Sequence, residues 1–247
     1  MASREYDPLA WFYDRYWGPR FHDAARPALE TLLYSTLRAG DSIAELCCGS
    51  GHLTAELVAR GYDVTGIDAS IEMLRCARRR APAARLLCAD VPTCPLTGGS
   101  FSAAVSTFDS INHLTSPDAV RSAFRFASQL LRAGGVFVFD VNTEEAYRTE
   151  WTKSSAVVES DAALFVRGSY DESAHLGRTL ITMFRCSDGW HRTDVEVNQR
   201  CYPASELAAW LRAAGFCGVA AHHATAVGMN GDLARGRMFF RGIKAAA

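Results

Sequence analysis

The stretch from Ser42 to Thr54 constrains the fold of this chain more than any other. A short apolar run that contains Glu45 leads into a loop with two glycines, Gly49 and Gly51, and a helical pattern follows. The run predicts a buried parallel strand over residues 42–48. The glycines permit positive φ and a close approach of a ligand to the backbone. The stretch therefore predicts a strand–loop–helix unit that holds a nucleotide-like cofactor at the start of the helix.

The same loop discriminates between two cofactor classes. The dinucleotide fingerprint is G-x-G-x-x-G, but Leu53 and Thr54 follow the second glycine, so the third glycine is missing. The carboxylate of Glu45 disfavours a pyrophosphate and favours a ligand with an ammonium group and a positive sulfur. An NAD-dependent oxidoreductase is therefore the weaker alternative.

A second acid follows the next predicted strand, about 20 residues past the glycine loop. Asp68 comes directly after the apolar run 62–67, where a carboxylate suits the two hydroxyls of a ribose. Ser70 then predicts an N-cap, and Met73 and Leu74 lie on the apolar face of the following helix. A simple helix-capping role for Asp68 is the alternative.

The segment Glu45-Leu46-Cys47-Cys48-Gly49-Ser50-Gly51 resembles the first motif of the class I S-adenosylmethionine-dependent methyltransferases, acid-x-Gly-x-Gly-x-Gly. Cys47 replaces the first glycine of that motif. The resemblance covers roughly residues 40–140, and more weakly 200–243. It implies S-adenosylmethionine as the methyl donor, with S-adenosylhomocysteine as product, and a cofactor site formed by Glu45, Cys47, Gly49, Gly51, Asp68, Ala69, Met73, Asp90, Val91 and Phe108. Within that site, the resemblance places Asp90 and Val91 at the adenine.

The order of the predicted elements indicates an α/β fold: a Rossmann-like, seven-stranded, mostly parallel sheet with helices on both faces. Two helices, 6–18 and 24–38, precede the sheet, and Gly134-Gly135 ends a helix before a strand over 136–140. Residues 154–202 show antiparallel patterning, which predicts an inserted sheet over the active site between strand 5 and the following helix. We expect a single domain over 1–247, with 1–38 as a helical lid.

Composition limits the partners and the compartment. The net charge of −1 implies no broad attraction to nucleic acid or to an anionic membrane. No Asn/Asp-Pro-Pro-aromatic motif of nucleic-acid methyltransferases follows strand 4. The eight cysteines lack C-x-x-C spacing, so no metal site is expected. A polar N-terminus and the lack of a long apolar run predict a cytoplasmic protein with reduced thiols.

Two residues are candidates for the chemistry at the methyl group. His113 follows the fourth strand and titrates near neutral pH, so it is the candidate general base. It stands in a Ser-x-x-His-Leu context similar to that of the deoxyamino-sugar N-methyltransferases. A histidine bonded to a backbone carbonyl is the alternative. Tyr13 matches the tyrosine of a Leu-x-x-x-Tyr-Asp lid segment of the same family, in an aromatic stretch suited to a sulfonium or an ammonium.

The acceptor pocket is predicted less sharply. Position along the chain suggests Trp17, Asn142, Trp151, His191 and Arg200 as residues that contact the substrate. The sequence thus predicts an enzyme that methylates a nitrogen or an oxygen of a small molecule. A homodimer is compatible with the sequence. A protein that binds S-adenosylmethionine without methyl transfer, as a scaffold or regulator, is the alternative.

Overall fold

Strands account for most of the framework that positions the site. The computed structural model describes residues 6–96 and 98–246. The strands of these residues are β1 (Ser42–Leu46), β2 (Asp63–Asp68), β3 (Arg85–Cys88), β4 (Phe101–Ser106), β5 (Leu131–Asn142), β6 (Ser154–Val158), β7 (Ala162–Asp171), β8 (Leu176–Cys186), β9 (Trp190–Arg200), β10 (Phe216–His223) and β11 (Arg237–Lys244). They form a seven-stranded sheet of order β10-β11-β5-β4-β1-β2-β3 and a four-stranded sheet of order β6-β7-β8-β9.

Pairing within the larger sheet confirms the predicted α/β fold. Strands β1 to β5 pair in parallel, whereas β11 runs antiparallel to both β5 and β10. The helices are α1 (Ala10–Phe12), α2 (Gly18–Leu32), α3 (His52–Ala59), α4 (Ile71–Arg80), α5 (Pro117–Leu130), α6 (Glu144–Ala146) and α7 (Ala204–Ala213). Because strand side chains alternate between faces, Phe137 and Phe139 of β5 share a core with α5 and α7, while Val136 and Val138 share one with α2 and α3.

The N-terminal helices differ from the prediction. Instead of two helices, 6–18 and 24–38, α1 continues through a π-helical turn at Tyr13–Trp17 directly into α2. The Gly18-Pro19 pair does not break this helix; Pro19 lies directly after the π-helical turn, where the chain stays helical. Residues 1–5 of the predicted lid lie outside the described residues.

The boundary before β5 also differs. Gly134 and Gly135 do not end helix α5, which stops at Leu130. Strand β5 begins at Leu131, which pairs with Phe101 of β4, and the register then shifts before Ala103 pairs with Val136. The glycines therefore lie in an irregular early part of the strand, where Gly134 adopts a φ of 75°.

The four-stranded sheet lies between β5 and α7 in sequence, as predicted, and is antiparallel throughout. One face packs against the N-terminal segment. Leu9 and Phe12 join a core with residues of this sheet, among them Leu164 and Ile181. Arg15 adds ion pairs to Glu159 and Asp161 in the β6–β7 turn. The segment before β1 is thereby held between the two sheets.

All eight cysteines are free thiols. No helix in residues 6–96 and 98–246 is long and apolar enough to cross a membrane. The same residues contain no group of three or more His, Cys, Asp or Glu side chains arranged to hold a metal ion.

Candidate active site

A cavity of about 470 Å³ lies beyond the carboxyl ends of the parallel strands. Its floor follows β1, β2 and β4, where the strand order of the sheet reverses, which is the usual ligand position in such folds. Its other walls come from the N-terminal segment and the inserted sheet. The cavity brings together most of the predicted site residues: Tyr13, Trp17, Cys47, Gly49, Asp68, Ala69, Met73, Asp90, Val91, Phe108, His113 and Trp151.

The loop after β1 has three left-handed residues. Cys47, Gly49 and Gly51 have φ values of 57°, 53° and 80°. Cys47 therefore keeps the backbone conformation that a glycine would adopt at lower cost, so the replacement leaves the turn intact. A side chain at Gly51 would place its Cβ 2.8 Å from the Ala77 backbone. Gly51 thus allows the loop to approach helix α4, besides any role toward a ligand.

Glu45 lies under this loop and is buried. The Thr54 hydroxyl donates a hydrogen bond to its Oε2 at 2.6 Å. Burial raises the pKa of the Glu45 carboxyl to about 8, and Asp68 contributes in the same direction. No cation in the described part of the chain forms an ion pair with it. Glu45 lines a second, small cavity of about 30 Å³ that shares Tyr13, Cys47 and Phe108 with the large one.

Asp68 is fixed at the end of β2 by backbone amides. Its Oδ2 accepts from the Gly49 amide at 2.8 Å, and its Oδ1 accepts from the Ser70 amide at 2.9 Å. The N-cap of α4 is Ser70, as predicted, because its hydroxyl accepts from the Met73 amide; Asp68 is therefore not the capping residue. Each carboxylate oxygen keeps a further lone pair, and the residue borders the cavity, so it can also accept from a diol.

Aromatic rings form one wall of the cavity. Phe108 stacks on Phe21 with ring centroids 4.1 Å apart, and Tyr13 lies 5.6 Å from Phe108. Burial raises the pKa of Tyr13 well above its ordinary value, so its hydroxyl stays protonated and cannot act as a base. Trp17 meets Tyr13 edge-on at 6.3 Å. These faces suit a cationic or planar ligand.

His113 lies on a short 3₁₀ turn, Ser110–His113, that follows β4. Its Nε2 is 2.7 Å from the side-chain nitrogen of Gln199 and 3.0 Å from the Tyr6 hydroxyl. These side-chain contacts replace the backbone carbonyl of the alternative interpretation. Burial lowers the pKa of His113, with the Asp109 charge opposing. The imidazole is therefore neutral near pH 7.

A buried ionic group behind His113 was missed by sequence reasoning. Arg237 of β11 forms ion pairs with Asp109 at 2.9 Å and with Asp140 of β5, and all three are buried. The Asp140 carboxylate also accepts from the amides of Phe108 and Asp109, at 2.7 and 3.0 Å. Both residues have positive φ, 62° and 49°. Asp140 and Arg237 therefore hold the strained turn that places Phe108 and His113 in the cavity wall.

Asn112 fixes the same turn from another side. Its amide nitrogen donates to the carbonyls of Asn142 and Arg200, and its Oδ1 accepts from the Asn142 amide at 2.9 Å. Arg237 and Asp140 left no local sequence signal, since they lie 97 positions apart. The sequence pointed to Asn112 only through its position next to the candidate base His113.

Three predicted acceptor residues lie elsewhere. His191 is exposed near the β8–β9 turn and pairs with Asp188 at 2.6 Å, because the strand carries it away from the cavity. Asn142 and Arg200 do not line the cavity; they contribute backbone groups to Asn112, and the Arg200 guanidinium lies over the Tyr202 ring. Of the five predicted acceptor residues, only Trp17 and Trp151 line the cavity in the described part of the chain.

These features fit S-adenosylmethionine. A buried carboxyl without an ion-pair partner suits the ammonium group, and Asp68 suits the ribose. Asp90 and Val91, which the resemblance associates with the adenine, line the same cavity as Asp68. The volume of the cavity is in the range of sites for ligands of this size, with room beside Trp17 and Trp151 for part of a second molecule.

Comparisons with known proteins agree with this assignment. A family model described as a methyltransferase domain matches residues 43–135. The chain is 28% identical over 211 residues to a dTDP-3-amino-3,4,6-trideoxy-α-D-glucopyranose N,N-dimethyltransferase of Streptomyces venezuelae, covering 81% of this chain and 88% of that protein.

Solved structures show the same architecture. DesVI of Streptomyces venezuelae has a TM-score of 0.75 at 25% identity, covering 94% of this chain and 97% of that one. CalS10, an amino pentose methyltransferase of Micromonospora echinaspora solved with S-adenosylmethionine bound, has a TM-score of 0.72 at 23% identity, covering 96% of both chains. Residues 43–135 therefore belong to the methyltransferase domain family, and the chain is an S-adenosylmethionine-dependent methyltransferase.

Proposed function

We propose that this enzyme transfers the methyl group of S-adenosylmethionine to an amino nitrogen of a small, sugar-like molecule. The observation that carries the proposal is the neutral His113 in the cavity wall, with its Nε2 contacting Gln199 and Tyr6. The N,N-dimethyltransferase relative acts on an amino sugar by its name, which supports the same class of acceptor.

The basicity of His113 favours nitrogen over oxygen. Burial lowers the pKa of this imidazole below its ordinary value of 6.5, which makes it a weak base. An alcohol is far less acidic than an ammonium group, so a weak base assists an amine much better than a hydroxyl. Oxygen methylation, which the sequence left open, is the less supported alternative.

The acceptor half of the cavity has a mixed lining. Apolar side chains of the inserted sheet, Val166, Ile181 and Val197, face Trp17 and Trp151 across it. Polar groups at the edge include Ser155 and Thr179, together with the ion pair between Arg20 and Asp232. Aromatic faces with a few hydroxyls suit a polyhydroxylated ring that carries an amine.

The residues of the chain have distinct roles in this proposal. S-adenosylmethionine, when bound, supplies an already activated methyl group. Glu45 binds and orients the ammonium group of the donor, and Asp68 its ribose. Tyr13 and Phe108 exclude water and hold the acceptor in line, which can contribute about 7–11 kcal/mol in favourable cases. His113 accepts the proton of the attacking amine at Nε2.

A comparison of matched acceptors tests the proposal. Purified enzyme is incubated with S-adenosylmethionine and nucleotide-linked amino sugars, each paired with the analogue that carries a hydroxyl at the same carbon. We expect a mass gain of one CH₂ per transfer with an amino sugar and none with its hydroxyl analogue. Methylation of the hydroxyl compounds alone contradicts the proposal. Calorimetric titration with S-adenosylhomocysteine checks that the donor site is intact in each preparation.

Compartment and assembly remain part of the proposal. Eight free cysteines suit a reducing cytoplasm. The proposed single domain includes the inserted sheet, since Leu9 and Phe12 of the N-terminal segment share its core. Sedimentation of the purified protein tests the predicted homodimer.

A further inference from the structure

The inserted sheet contributes one buried amide to the candidate active site. Gln199 of β9 is 2% exposed and contacts three side chains at once. Its amide nitrogen donates to the Asp109 carboxylate at 2.6 Å and lies 2.7 Å from Nε2 of His113. Its amide oxygen accepts from the Tyr147 hydroxyl at 3.0 Å. Every polar atom of this side chain therefore has a partner.

The partners fix which way the amide faces. A carboxylate can only accept, so the atom of Gln199 next to Asp109 has to be the NH₂ group. Rotation of the amide by half a turn would place its oxygen against the carboxylate, which is repulsive. Since the same NH₂ group lies against His113, its second hydrogen is directed at Nε2. That nitrogen can accept the hydrogen bond only while it carries no proton of its own.

We propose that Gln199 is a positioning residue that fixes the tautomer of His113, with the proton on Nδ1 and none on Nε2. This inference rests on the proposed function, in which Nε2 takes the proton of the amine once the bound acceptor has displaced the Gln199 contact from its single lone pair. The order of the contacts, Asp109 to Gln199 to His113, makes the inserted sheet part of the catalytic arrangement and more than a cover. A carboxylate two contacts away thus selects the tautomer of the imidazole without touching it.

The charged and titratable surroundings of His113 are consistent with this role. Tyr6 contacts it from the N-terminal segment, with Tyr13 on the other side of Tyr6, and Asp109 precedes it on its own segment. Behind Asp109 lie Arg237 of β11 and Asp140 of β5, and Tyr147 lies on the far side of Gln199. The charge of Asp109 would favour an imidazolium, but Arg237 pairs with that carboxylate. Gln199 lies between Asp109 and His113 and donates a hydrogen bond to each of them.

The test is a nitrogen-15 NMR titration of the protein without ligands, in which His113 is assigned by comparison with His113→Ala. In the wild type we expect the tautomer with the proton on Nδ1 and a pKa below 6.5. Gln199→Met keeps the length of the side chain and removes the donor. It should raise the pKa of His113 by about one pH unit and shift the tautomer toward a proton on Nε2.

Two further variants make the result decisive. Gln199→Glu places an acceptor at the same position and should raise the pKa of His113 more than Gln199→Met does. Asn198→Leu is the matched control, because Asn198 is the neighbour on β9 and its side chain is exposed and bonds to Glu196. The control should leave the titration unchanged. A His113 titration and tautomer that stay as in the wild type in both folded Gln199 variants would overturn the inference.

The same variants separate this inference from the proposed function. If amines are methylated, Gln199→Met should move the acidic limb of the pH–rate profile upward by the shift measured by NMR. If no amine is methylated but the NMR shift occurs, the positioning role stands and the acceptor assignment is wrong. If amines are methylated and the NMR titration does not move, the acceptor stands and the role of Gln199 is wrong.

Discussion

The Thr54 hydroxyl donates to the buried Glu45 carboxyl at 2.6 Å. Thr54 stands where a dinucleotide-binding loop has its third glycine, and it is fully buried. At the position of the missing glycine, the Thr54 side chain therefore orients the Glu45 carboxyl beneath the loop. The pair supplies an oriented carboxyl and no positive charge, which leaves the cation to come from the ligand.

Glu45→Gln should stabilise the protein without ligand at alkaline pH. Folding raises the pKa of Glu45 from an ordinary 4.5 to about 8, so the folded state holds a proton that the unfolded chain lacks between these values. The stability linked to this proton is complete below pH 4.5 and is lost as the pH rises through 8. Denaturant unfolding should give the wild type and the variant similar free energies of unfolding at about pH 5. Above pH 8, the free energy of unfolding of the variant should be higher by about 2–5 kcal/mol. An advantage that does not grow with pH contradicts the assignment.

The same substitution should weaken binding of S-adenosylmethionine by about 10–100-fold, since a neutral amide replaces the acid that faces the ammonium. Calorimetric titration measures this loss. Affinity equal to that of the wild type would show that the ammonium binds elsewhere.

His113→Ala should lower kcat by about 10²–10⁴-fold while the Kd for S-adenosylmethionine stays the same, because the imidazole acts on the acceptor and not on the donor. In the wild type, the rate should rise with pH through a value below 6.5, since burial lowers the pKa of His113. His191→Ala is the matched control, as His191 is exposed and outside the cavity. Equal rates for the two variants would remove His113 from the mechanism.

Arg237→Met should destabilise the protein by about 3–5 kcal/mol, because Asp109 and Asp140 would remain buried without their cation. Arg241→Met on the same strand is the control. Arg241 donates to the Leu32 carbonyl and pairs with no carboxylate in the described residues, so it should cost much less. Denaturant unfolding measures both, and similar losses would argue against the ionic role. Asp140→Asn in the Arg237→Met background should restore part of the stability.

Gly51→Ala should be more damaging than Gly40→Ala. Both glycines have similar φ values, 80° and 84°, so both substitutions incur the left-handed backbone cost of about 1–2 kcal/mol. A Cβ at Gly51 would lie 2.8 Å from the Ala77 backbone, whereas nothing lies within 4 Å at Gly40. Thermal unfolding should therefore show a larger drop in Tm for Gly51→Ala. Equal drops would mean that helix α4 moves aside at no cost.

The sequence was sufficient for the sheet, the cofactor and the convergence of several candidate residues at one edge of the sheet. Those features depend on local patterns: an acid and glycines around one loop, and acids at strand ends such as Asp68 and Asp90. The carboxyl ends of parallel strands meet at one edge, so such residues converge whatever the details of packing. The four strands of the insert were equally visible, since alternating patterns of period two identify antiparallel strands.

Tertiary structure alone decided the buried group around Asp109 and His113. Arg237, Asp140 and Gln199 lie far apart in sequence, and each meets its partners only because β11, β5 and β9 converge behind one turn. Which face of a strand points inward also separated the buried Gln199 from its exposed neighbour on β9, Asn198. A one-residue change of register exchanges the two faces of a strand, and only the packed core fixes that register. The donor therefore follows from local sequence, whereas this buried group follows from packing.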